Sequence, residues 1–249
     1  MSKLISVSLA LAFCLLLSGC HSLQSIDDKS LTYKEDILLS AKNYNGLIDL
    51  YRSWLKQKED STIRYKLANY YYLVGDGKSS LYYLQPLMEK PDDAIYLLQA
   101  KNLIALKEYD KAMHVTDMLL QRNPENGDAY NLKGIALAES GRLTDAKTAI
   151  ERSRELFIAD DVAINNLAMI AMIDNRYDDS VRLLLPQYLR GRKGDRLLHN
   201  LVFSLVKVGD TRYARDIIES EKLSDNSEDI IEALNQVNNV TNGNGGNKG

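Results

Sequence analysis

The stretch Tyr130-Asn-Leu-Lys-Gly134-Ile-Ala-Leu-Ala-Glu-Ser140-Gly-Arg-Leu-Thr-Asp-Ala146 holds two helical apolar patterns broken by one turn, Ser140-Gly141-Arg142. A large residue opens it, and one small residue, Gly134 or Ala146, stands on each side of the turn. The same landmarks return outward in both directions. Ala112, Ala146, Ser180 and Ala214 follow one another at intervals of 34 residues. With that small residue counted as position 20, position 4 reads Tyr96, Tyr130, Ile164 and Leu198, and position 8 reads Ala100, Gly134, Ala168 and Val202. Turns at Glu108-Tyr109, Asn175-Arg176-Tyr177 and Val208-Gly209-Asp210 keep the phase, and Pro124 at position 32 stops a second helix. A period kept by several landmarks marks stacked repeats. Small residues are needed because two antiparallel helices approach closely only where bulky side chains are missing, and only an array buries the faces of its pairs.

Trp or Tyr at 4, small residues at 8 and 20 and Pro at 32 resemble the tetratricopeptide repeat (TPR) family. The resemblance implies an all-α, right-handed superhelical solenoid of roughly six antiparallel helix pairs and a C-terminal capping helix over residues 31–237, with regular units near 93–126, 127–160, 161–194 and 195–228. Position 7 departs from the family, with Gln99 and Lys133 where Leu is usual, so looser packing is expected there. Upstream, Leu67, Ala68, Tyr71, Gly75-Asp76 and Ser80 repeat the landmarks, with Ser80 only 32 residues before Ala112. Ile37 to Trp54 reads as one more pair, and Glu228 to Val237, with Ile230, Ile231, Leu234 and Val237 on one side, as the cap. Pro86 and Pro186 share position 26, where a missing N–H is expected to kink or shorten the second helix.

Residues 1–19 read as a secretory signal. After Lys3, the uncharged run Leu4 to Leu17 is shorter than the about 20 residues a membrane span needs. Leu17-Ser18-Gly19-Cys20 then resembles the bacterial lipobox at every position. The resemblance implies a diacylglyceryl thioether on Cys20, cleavage before it and acylation (palmitate) of the new amino terminus. With Cys14 inside the signal, the mature chain keeps a single cysteine and has no internal disulfide to form. More than one acyl chain anchors stably. His21 stands where Asp would signal inner-membrane retention in enteric bacteria, which favours the periplasmic face of a Gram-negative outer membrane. Residues 20–30 are expected to be the lipidated cysteine and a polar tether, and residues 238–249 a disordered Asn/Gly tail.

Net charge −3, with no long Lys/Arg run, argues against nucleic acid as a partner. His21, His114 and His199 have no Cys or carboxylate at metal-ligand spacing, no Gly-rich phosphate loop follows a strand, and no nucleophile motif surrounds a serine. Neither catalysis nor a cofactor beyond the lipid is expected.

A protein-binding surface is what remains. In the TPR pattern, inward-facing positions of the first helices hold Asn131, then Asn165, Asn166, Met169 and Met172, then His199, Asn200, Phe203 and Lys207. Two readings fit these asparagines. Their amides offer donor and acceptor to an extended peptide backbone while Met adapts to its side chains, or they bond the neighbouring helix. A carboxylate-binding variant of such a groove needs several cations, for which Lys207 is the main candidate.

Ile164 to Leu189, with Asn165-Asn166-Leu167-Ala168-Met169 and Leu183-Leu184-Leu185-Pro186, and Asn43 to Arg52 near the start resemble the TadD-type lipoproteins of tight-adherence (Flp) pilus systems. That resemblance implies an outer-membrane scaffold for pilus assembly, a pilotin-like factor holding a segment of the secretin or of another pilus component. Two alternatives need the same lipid, solenoid and groove: a periplasmic adaptor for peptidoglycan enzymes or proteases, and an accessory factor for outer-membrane protein assembly.

Overall fold

The computed structural model describes residues 28–237, which form thirteen α-helices and one 3₁₀ helix. Six antiparallel pairs follow one another: α1 (Asp28–Ser40) with α2 (Tyr44–Gln57), α3 (Ser61–Leu73) with α4 (Gly77–Leu84), α5 (Asp93–Ala105) with α6 (Tyr109–Arg122), α7 (Gly127–Glu139) with α8 (Leu143–Glu155), α9 (Asp160–Ile173) with α10 (Tyr177–Leu189), and α11 (Asp195–Lys207) with α12 (Thr211–Ser220). α13 (Ser227–Gln236) closes the array, with Ile231 buried beneath it. The signal, Cys20, most of the tether and the Asn/Gly tail lie outside the described residues. α1 begins at Asp28, inside the stretch read as tether. Leu31, only 1% exposed, draws this first turn into the core.

The 34-residue phase corresponds to burial. Ala112, Ala146, Ser180 and Ala214 are all 0% exposed, as are Ala100 and Ala168 at position 8. At Gly134 a Cβ would stand 2.5 Å from Ile150 Cδ1 and 3.2 Å from Ala146 O, so α7 and α8 touch where only glycine fits. Within each pair the turn contains one left-handed residue: Lys42, Gly75, Lys107, Gly141, Asn175 or Gly209.

Two buried serines add a rule that the small-residue pattern hides. Ser80 and Ser180 occupy position 20, and each meets a polar side chain at position 10 of the next pair. Asn102 Nδ2 donates to Ser80 Oγ at 2.8 Å, and the Ser180 and Ser204 hydroxyls are 2.7 Å apart. Where position 20 is Ala112 or Ala146, position 10 of the next pair is the apolar Ala136 or Ile170.

The two prolines at position 26 diverge. At Pro86, α4 ends after eight residues and Gln85–Glu89 continue as 3₁₀ helix, whereas α10 runs through Pro186 to Leu189. The chain after Pro186 reaches Gly191 in the left-handed conformation, and Arg192 N–H returns to Gln187 O at 3.1 Å, tying the last turn. After Pro86 the chain reaches Lys90, whose N–H bonds only Leu87 O at 3.3 Å, and then Pro91.

The first pair is joined to α3 by a polar network. Lys66 Nζ donates to Glu35 Oε1 at 2.9 Å and to Tyr51 Oη at 3.0 Å, and Tyr70 Oη donates to Glu35 Oε1 at 3.2 Å. Burial pushes the Glu35 carboxyl up. Hydrogen bonds with Tyr51, Lys66 and Tyr70 and the Lys66 charge outweigh it and hold the group below the usual carboxylate range. Burial, then Glu35, push the Tyr70 phenol up to about 12.

Candidate functional site

The first helices α7, α9 and α11 bring the expected groove residues into one strip. Asn166 Nδ2 donates to Asn131 Oδ1 at 2.6 Å, and Asn200 Nδ2 approaches Asn165 Oδ1 at 3.4 Å. Both links join position 5 of one pair to position 6 of the next across 35 residues. Asn165 also returns a donor to Asp161 O at 2.9 Å. The amides therefore form a ladder along the array, and each retains hydrogen-bonding capacity beyond its ladder contact.

The strip opens toward the C-terminal end. Asn131 is 8% exposed, Asn165 and Asn166 are half-buried, and His199 is exposed. Met169 and Phe203 are half-buried, with Phe203 edge-on to Tyr177 at 5.8 Å. Met172 is a correction, for it is 3% exposed instead of lining the groove. Position 12 is buried in all three units, by Ala138, Met172 and Val206, because neighbouring first helices close over it.

Lys207 is also engaged. Its ammonium donates to Asn235 O at 3.0 Å and to Val237 O, and lies 5.6 Å from the Phe203 ring centroid. It neutralises the carbonyl end of α13, where a cation is favourable, and so serves the cap. The cations beside the asparagines are Arg192 and Arg196. They line a pocket of about 260 Å³ with Asp161, Val162, Asn165 and Asn166, between the first turns of α9 and α11. Arg192 is 3.9 Å from Asp161, and Arg196 has no ion-pair partner among the described residues. Neither α9 nor α11 has a side-chain cap. Arg196 falls at inward position 2 of its unit, so the same count that found the asparagines leads to it; Arg192 sits in a connecting loop that no helical phase marks. A second recess of about 160 Å³, lined by Ile135, Ala138, Met169 and Ile173, lies between α7 and α9.

Among the described residues, no group of three His, Cys, Asp or Glu could hold a metal ion, and no helix is long and apolar enough to cross a membrane.

Paired helices with buried small residues at 8 and 20 and a first-helix groove define the class of TPR solenoids, and comparison with known proteins agrees on the fold. No protein-family model matches the chain. Over 114 residues, 45% of the chain, it is 23% identical to tetratricopeptide repeat protein 21B of Xenopus laevis, and spans 9% of that protein's length. A tetratricopeptide repeat protein from Parabacteroides merdae superimposes with a TM-score of 0.64 at 15% identity, over 82% of this chain and 85% of that one. A thermophilic TPR protein from Thermus thermophilus gives 0.62 at 16% identity, over 72% of this chain and 100% of that one. MamA from Desulfovibrio magneticus gives 0.54 at 15%, over 68% and 100%. The chain has the TPR fold.

Proposed function

We propose that this chain is a lipid-anchored, protein-binding TPR scaffold of the outer membrane that serves tight-adherence pilus assembly, holding an extended segment of a secretin or another pilus component along α7, α9 and α11. The observation that carries the binding role is the amide ladder opening at its C-terminal end onto Arg192 and Arg196. It offers a peptide backbone paired donors and acceptors beside a cationic pocket. The lipobox at Cys20 supports the membrane address, and the segments Ile164–Leu189 and Asn43–Arg52 support the pilus role.

Two variants separate the parts of this reading. Cys20→Ser should move the protein from the outer-membrane fraction to the soluble or uncleaved one; flotation with outer membranes as before would rule out the lipid. His199→Ala combined with Asn200→Ala and Arg196→Ala should lower secretin recovery more than tenfold, at about 0.5–1.5 kcal/mol for each lost hydrogen bond, with an unchanged melting curve. Undiminished recovery by the folded variant removes the groove from the function.

A further inference from the structure

A cleft of about 750 Å³ lies away from the groove, between the second helices α6 and α8 and over α7. It has a sequence cause. Gly134 brings α7 against α8, and on the flank of α7 that faces α6, position 7 is Lys133, where α9 and α11 place Leu167 and Leu201. No leucine stands at that position beneath the seam between α6 and α8. Its floor is apolar, made of Met113, Leu137 and Ala149, all at most 9% exposed, beside half-buried Tyr130.

We infer that this cleft is a second docking site, distinct from the groove, for the apolar face of an amphipathic helix flanked by lysine or arginine. Charge selects the flanks. The three rim cations are already matched, Lys133 to Asp117 at 2.6 Å, Arg142 to Asp145 at 2.6 Å and Arg152 to Glu155 at 2.8 Å. Two rim carboxylates are left over. Asp110 has no ion pair among the described residues, and Glu151 has only exposed Lys147 at 3.7 Å. Backbone chemistry selects the helix. The walls are helices whose own N–H and C=O groups are used internally, and the floor of Met113, Leu137 and Ala149 is apolar, so an extended segment would leave the backbone groups that face the floor unpaired whereas a helix satisfies its own.

The test uses the full chain carrying Cys20→Ser and a fluorescein-labelled fourteen-residue peptide of leucine and lysine in helical alternation, read by fluorescence anisotropy. Thr148→Trp, which fills the cleft from its exposed rim, and Lys133→Leu, which supplies the missing apolar residue, should each lower affinity at least tenfold while circular dichroism and melting temperature hold. Asp110→Asn with Glu151→Gln should weaken binding several-fold and flatten its salt dependence. Equal binding by parent, Thr148→Trp and Lys133→Leu overturns the site. Equal binding of a peptide with serine in place of lysine overturns the charge selection. Loss of binding in Asn165→Ala with Asn166→Ala, but not in Thr148→Trp, moves the peptide to the groove and overturns the inference without touching the groove reading.

Discussion

The pairs α5–α8 and α9–α12 are built on one template and differ most plainly at position 7. In the later pairs, Leu167 and Leu201 are 9% and 0% exposed and close the seam to the preceding second helix. In the earlier pairs, Gln99 leaves its buried Oε1 without a partner among the described residues, and Lys133 turns to Asp117 above an open cleft. At α7 the polar residue at position 7, together with the close approach at Gly134, accompanies a concavity where the later pairs have a sealed seam.

The strongest test of that contrast is truncation at equivalent places. Leu201→Ala should cost about 2–5 kcal/mol by opening a cavity in a sealed seam, whereas Lys133→Ala, over a cleft that is already open, should cost well under 1 kcal/mol. Urea unfolding of both variants measures the difference, and equal costs would mean that position 7 does not distinguish the two regions. Gly134→Ala should cost about 1–3 kcal/mol, because its methyl meets fully buried Ile150 and the Ala146 carbonyl. A melting temperature equal to the parent's would show that α7 and α8 are not held by that contact.

Buried hydroxyls give a smaller and more selective effect. Ser204→Ala should cost about 1–3 kcal/mol by stranding Ser180, and adding Ser180→Ala should recover most of the loss, since the equivalent Ala112 and Ala136 positions pack without hydroxyls. Additive costs would deny the pairing. Glu35 sharpens the contrast from the other end of the array. Its folded pKa lies below the unfolded value, so its contribution is present at neutral pH and lost as pH falls through the folded value. Glu35→Gln should lower the melting temperature near neutral pH and flatten its decline between about pH 6 and about pH 3. The smallest change expected is a gain: Lys107→Gly relieves a left-handed residue in the α5–α6 turn and should stabilise by roughly 1 kcal/mol, read from the shift of the urea midpoint.

Much of the fold was legible because a helical repeat writes its burial pattern in phase. Ala112, Ala146, Ser180 and Ala214 marked the tightest crossings, Pro124 the end of α6, and the apolar side of Glu228–Val237 the cap. Lys133 marked a departure from the repeat, and a cleft lies over it; at Gln99 the departure shows only as a buried Oε1 without a partner among the described residues. Depth was not legible. Phase says which way a side chain points, and at Met172 it could not say that the adjoining helix already covers that direction. That the asparagines bond the neighbouring helix was one of the two readings open in the sequence, and the Asn131 to Asn166 and Asn165 to Asn200 contacts bear it out; which position meets which was not legible. The link from Asn131 to Asn166 joins position 5 to position 6, and the attachment of Lys207 to Asn235 O and Val237 O depends on where α13 ends, which no repeat position records.

The paired serines bear on how such a chain avoids stacking in the wrong order. Units of one length and one small-residue pattern are interchangeable to first approximation, and arrays of this kind are prone to misassembly and to exchange of units between molecules. Ser80 finds its match in Asn102, and Ser180 in Ser204, while the intervening interfaces present Ala136 and Ile170. A pair shifted by one unit would bury a hydroxyl against alanine or isoleucine, with nothing to accept or donate. The two polar contacts act as keys cut for particular locks, so that a sequence of nearly identical parts assembles in the order in which it was written.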